Sequence, residues 1–178
     1  TSAMQTLVDG MTYQNTSQDP TTAANRVVTI TRLDDNGSAT GGNDNTSTPN
    51  VSATVTVSAV NDEPTLSATG ATVTFTEDGS AVDLFSGVTV ATVEAGQTLT
   101  RLDFTVTNVS DAAAERVTVD GTTIQLVDGG SGTTTTNGMS YTVSVSGGTA
   151  TVSLTKAAGI STSAMQTLVD GMTYQNTS

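Results

Sequence analysis

Residues 141–154 read Tyr141-Thr142-Val143-Ser144-Val145-Ser146-Gly147-Gly148-Thr149-Ala150-Thr151-Val152-Ser153-Leu154. Apolar and small polar residues alternate on both sides of a Gly-Gly pair. Alternation with period two places every second side chain on one face of a strand. Two adjacent glycines tolerate the positive φ angles of a two-residue hairpin turn. The stretch therefore predicts two antiparallel strands joined by a tight turn.

The same pattern recurs outward from it. Residues 27–31, 53–60, 72–76, 102–106, 117–119 and 122–127 also read as strands. Asp120-Gly121 supplies a second two-residue turn, and Asn137-Gly138 another tight turn. Many short strands with Gly-rich turns predict an all-β, antiparallel sandwich. One short helix is expected, capped by Ser161 or Thr162, with Ala164, Met165, Leu168 and Val169 as its apolar stripe and Gly171 at its end. Tyr174 follows directly. It reads either as a corner tyrosine bonded to backbone or as an ordinary core aromatic.

The chain also repeats itself. Residues 1–17, TSAMQTLVDGMTYQNTS, recur without a change as residues 162–178, an offset of 161. A duplication made in cloning would do this, but a tandem array with a period of 161 residues is the better reading. Such a period is far longer than a solenoid unit of roughly 20–45 residues, so each unit should be a domain with its own core.

Composition narrows the function. The chain has 178 residues, 17 acidic and five basic ones, and a net charge of -12. Such a chain repels nucleic acid and anionic membrane surfaces and attracts divalent cations. It has no Cys, so disulfides and thiolate metal sites are out. It has no His, the commonest general base. One Lys, Lys156, stands without a motif. No apolar run is long enough to span a membrane and no signal peptide is visible, so an internal piece of an exported protein is expected. Catalysis is not expected.

Candidate metal ligands are oxygens, which suits Ca²⁺ with its six to eight oxygen ligands. Asn61, Asp62 and Glu63 bunch ahead of Pro64, which fixes its own φ and stiffens the exit. Glu77 and Asp78 precede Gly79, where a plain polar turn is the alternative. Asp34 and Asp35, with Asn36, end a strand. Asp103 lies in a strand, either on its solvent face or as a ligand near its end. Asn43-Asp44-Asn45 sits in a Gly-rich loop and is a weaker candidate. Asp128-Gly129-Gly130-Ser131-Gly132 and the run Thr133 to Thr136 read as loops.

Several of these segments, in this order, resemble a known family. Val60-Asn61-Asp62-Glu63-Pro64 looks like the linker of cadherin-like tandem repeats. Leu33-Asp34-Asp35-Asn36-Gly37, the return strand at residues 51–57, Phe75-Thr76-Glu77-Asp78-Gly79 and residues 168–178 are similar to the extender repeats of giant bacterial type I-secreted RTX adhesins. The linker is shorter in acids than the D-x-N-D-N-x-P of animal cadherins. The resemblance implies an immunoglobulin-like or cadherin-like sandwich, Ca²⁺ at the junctions through Asn61, Asp62 and Glu63, Glu77 facing a junction, and a place on the bacterial cell surface. It implies a structural extender that spaces a distal ligand-binding tip from the cell in adhesion or biofilm formation. A carbohydrate- or ice-binding sandwich module is the alternative.

The junction at residues 60–64 then divides the chain. Residues 1–62 are expected to be the C-terminal part of one repeat and residues 63–178 the N-terminal part of the next. The partners expected are neighbouring repeats of the same chain. Split domains would also associate head to tail between molecules.

Overall fold

The computed structural model describes residues 1–38 and 45–178; Asn43 and Asp44 of the Gly-rich loop lie outside them. The chain divides into two compact units, Thr1–Asn61 and Asp62–Ser178.

The first unit contains helix α1 (Ser2–Asp9), β1 (Arg26–Ile30), β2 (Leu33–Asp34), β3 (Thr46–Ser47) and β4 (Val51–Val55). β1 pairs antiparallel with β4, and β2 with β3. The run at 53–60 was expected to be strand throughout, but β4 ends at Val55. No described residue of this unit is buried.

The second unit is an antiparallel β-sandwich. Its strands are β5 (Thr65–Gly70), β6 (Val82–Asp83), β7 (Phe85–Ala91), β8 (Leu99–Val106), β9 (Glu115–Val119), β10 (Thr122–Gln125), β11 (Ser131–Thr133), β12 (Ser140–Ser146), β13 (Thr149–Ile160) and β14 (Thr173–Asn176). One four-stranded sheet runs β10-β9-β14-β6 and another runs β11-β12-β13-β8, while β5 pairs with β7. Helix α2 (Thr162–Asp170) packs against β7.

The decisive hairpin forms as its sequence predicts. β12 pairs with β13 from Ser146↔Thr149 outward, and Gly147 and Gly148 both have positive φ. Ala150, Val152 and Leu154 point inward with no exposure, while Thr151 and Thr155 face out. Val117 and Val119 of β9, Ile124 of β10 and Val143 of β12 meet them in one core. α2 closes it with Met165, Leu168 and Val169, and β7 adds Val88. Removing such side chains from water is the dominant favourable term in folding.

Two carboxylates lie inside this framework, and both are saturated with donors. Asp120 opens the β9–β10 turn with φ 51°. It accepts from the Thr134 hydroxyl, from Asn137 N at 3.0 Å and from Asn137 Nδ2 at 2.5 Å. Lys156 Nζ donates to the Asn137 carbonyl, so the one lysine ties β13 to the same loop. The Thr run is therefore no flat array. Thr133 ends β11, Thr134 is buried on Asp120, and Thr135 Oγ1 donates to the Gly121 carbonyl.

Glu115 is the second buried carboxylate. Its Oε1 accepts from Ser110 N at 2.7 Å and Asp111 N at 2.9 Å, and its Oε2 from Tyr174 Oη at 3.1 Å. Tyr174 also meets Phe75 edge to face, with centroids 5.9 Å apart. The corner tyrosine thus bonds a side-chain carboxylate, where a backbone partner was one expectation. Residues 72–76, expected as a strand, have no ladder partner, and Phe75 serves Tyr174 instead.

Burial and the neighbouring Glu115 carboxylate push the Tyr174 phenol up to about 12. An unfolded tyrosine ionises near about 10. Across the window between these values the unfolded chain releases a proton that the folded chain keeps. Stability is therefore full below that window and falls as pH rises through it. Urea midpoints measured through this range should show the fall, and Tyr174→Phe should flatten it. An equal slope in the variant would remove Tyr174 as the cause.

Candidate functional site

The boundary between the two units falls at Asn61/Asp62, inside the V-N-D-E-P segment. At the head of the second unit, Asp62 N donates to Glu94 Oε1 at 2.6 Å. Glu94 lies in the loop between β7 and β8, beside a turn in which Gly96 has φ +80°. Its other oxygen, Oε2, is buried and has no hydrogen-bond partner among the described residues. A buried carboxylate oxygen without a donor is unfavourable by itself. A cation satisfies such an oxygen directly. Glu63, one residue on, is exposed, and Asp62 is half-buried.

These groups suit calcium in kind: hard, anionic oxygens with one lone pair set unspent. Glu94 supplies the spare oxygen, while Asp62 and Glu63 do not converge with it on one point, so an ion held at Glu94 would have to draw them in to complete its shell, and its contribution would be charge neutralisation. Glu94 was not among the residues the sequence singled out. It stands in Thr92-Val93-Glu94-Ala95-Gly96, where nothing resembles a ligand motif, and its contact with Asp62 spans 32 residues.

The other candidates lie elsewhere. Asp34 forms an ion pair with Arg32 at 2.8 Å and also accepts from Arg32 Nε at 2.9 and 3.0 Å. The Arg32 hydrogen bond holds its carboxyl below the usual carboxylate range. Asp35 Oδ1 accepts from Gly37 N at 2.7 Å, closing an Asx turn. Asp103 sits on the outer face of β8, opposite Ser153, and pairs with Arg101 at 2.8 Å. The Ser153 hydroxyl, then Arg101, lower its pKa. Of the two positions open for Asp103, the structure shows the solvent face.

Glu77 and Asp78 occupy the turn closed by Gly79 N to Thr76 O at 2.8 Å, with Asp78 at φ 62°. Gln175 Nε2 donates to the Gly79 carbonyl at 3.4 Å, which fixes this turn against the end of β14. Both acids are exposed. Among the described residues no three acidic side chains gather around one point. Of the predicted ligands, Asn61 ends the first unit, Asp62 and Glu63 stand at the head of the second, and the rest are spread over turns and strand faces within their own units.

Among the described residues no helix is long and apolar enough to cross a membrane. Comparison of the chain with protein families, with curated proteins and with solved structures gives no match.

Proposed function

We propose that this chain is a spacer: an extender repeat of a bacterial surface adhesin, exported to the cell surface, stiffened by calcium and without catalytic activity. The observation that carries this reading is the unaltered recurrence of residues 1–17 at 162–178. Near-identical domains in tandem generate length, whereas catalysis and recognition gain little from repetition. The sandwich supports the same reading. Its two buried carboxylates, Asp120 and Glu115, are fully engaged in holding loops. An acid–base catalyst needs a carboxyl that faces a substrate and exchanges its proton.

Calcium enters through Glu94. The ion would satisfy the orphaned Oε2 and draw Asp62 and Glu63 toward it, fixing the chain where the second unit begins. In an array with a net charge of -12 per chain, neutralisation there also relieves repulsion between like charges. Titration calorimetry with Ca²⁺ tests this. The wild-type chain should bind, and Glu94→Gln should weaken binding by about tenfold or more, since it removes a direct anionic ligand. Asp103→Asn should leave binding unchanged, because that carboxylate belongs to Arg101. Equal affinity in wild type and Glu94→Gln would contradict the assignment.

A further inference from the structure

The two identical segments both open with a helix but end in different surroundings. In the second unit, Met165, Leu168, Val169 and Met172 are 1–4% exposed. Their copies in the first unit, Met4, Leu7, Val8 and Met11, are 43%, 61%, 39% and 53% exposed. Residues 173–176 form β14 between β9 and β6, while residues 12–15 have no ladder partner. Along one side of α1, Val8, Met11 and Tyr13 line an apolar groove with Val28, Ile30 and Val51 of the β1–β4 pair. The helix stripe and the strand pair open onto one common groove.

What covers that stripe is on view in the same molecule. The surface under α2, built by β7 and the core, accepts this amino-acid sequence and buries its four apolar side chains. We propose that the first unit of one copy completes the second unit of another, with α1 seated where α2 otherwise lies. The seats are chemically equivalent because the two sequences are the same. Exchange of an identical element is a low-barrier route to association, and a head-to-tail contact of this kind builds open chains or rings. The tethered α2 competes at high effective concentration, so exchange must be concentration-dependent. What favours the incoming segment is the β1–β4 pair that follows α1, whose exposed Val27, Val28 and Val51 accompany it. Such unpartnered apolar surface marks an interaction face.

This association does not involve calcium and stands apart from the metal reading, so it is measured in EDTA. Sedimentation velocity at rising concentration should show the wild-type chain passing from monomer to larger species. Leu7→Asp, on exposed α1, should weaken association by about tenfold or more while leaving the melting of the second unit unchanged. Leu168→Asp, which unseats α2, should strengthen association because the neighbour's α1 meets no rival. Combining both substitutions should abolish it. Association that ignores Leu7→Asp would overturn the proposal. So would a wild-type chain that stays monomeric at every concentration. Should Leu168→Asp fail to fold, the Leu7→Asp comparison decides alone.

Discussion

Leu168→Ala should destabilise the second unit by about 3 kcal/mol, within the range for a buried leucine truncated to alanine. The same substitution at its twin, Leu7→Ala, should change the stability of the dilute monomer by no more than about 0.5 kcal/mol. Leu168 is 3% exposed and belongs to the core, while Leu7 is 61% exposed. The residues before and after each leucine are the same for many positions, so helix propensity cancels between the two measurements. The difference isolates tertiary packing. It includes the transfer of the lost methyl groups and the cavity left in the core that α2 shares with β7, which refills only in part. Chemical denaturation monitored by far-ultraviolet dichroism would give both values. Equal effects would mean that the two helices share one environment and that α1 has a core after all.

This pair also shows what a sequence withholds. The helix was legible in both copies from its stripe and its closing glycine, and in the second copy also from its cap, where Ser161 Oγ accepts from Ala164 N at 3.1 Å. Nothing in TSAMQTLVDGMTYQNTS tells which copy is covered, because burial depends on residues far along the chain. The hairpin at 141–154 was legible for the opposite reason, since its partners are adjacent and its turn is Gly-Gly. β5 and β7 were missed. In β7, Gly87 at φ +61° interrupts the alternation, and β5 has Leu66 as its one large apolar side chain, too weak a signal to mark a strand. Residues 72–76 alternate well, yet Val73 is 51% exposed and the segment joins no strand ladder. Period two describes extended backbone, and pairing decides whether it becomes sheet.

The site divides in the same way. Asp34 and Asp103 each follow an arginine at two residues' distance, in Arg32-Leu33-Asp34 and Arg101-Leu102-Asp103. On a strand that spacing puts both charges on one face, so their ion pairs were readable in principle. Glu94 was not readable. It reaches Asp62 from a loop, and its place depends on how β5 and β7 pair.

The second large effect expected is a calcium-linked gain in stability. A ligand that binds the folded chain and not the unfolded one adds RT ln(1 + [L]/Kd), about 2.7 kcal/mol at a hundred times Kd for one site. The unfolded chain scatters Asp62, Glu63 and Glu94, whereas folding brings Glu94 to the Asp62 amide and leaves its Oε2 buried without a donor. Without an ion at Glu94 that oxygen would stay unsatisfied, so the loss on chelation should fall on the second unit. For a domain of this size the gain corresponds to a rise of about 10 °C in melting temperature. The thermal melt of the wild-type chain in EDTA and in millimolar Ca²⁺, with Glu94→Gln beside it, therefore decides whether calcium stiffens this chain. Calcium should raise the wild-type midpoint and raise that of the variant less or not at all; identical wild-type midpoints in the two buffers would contradict a calcium site at Glu94.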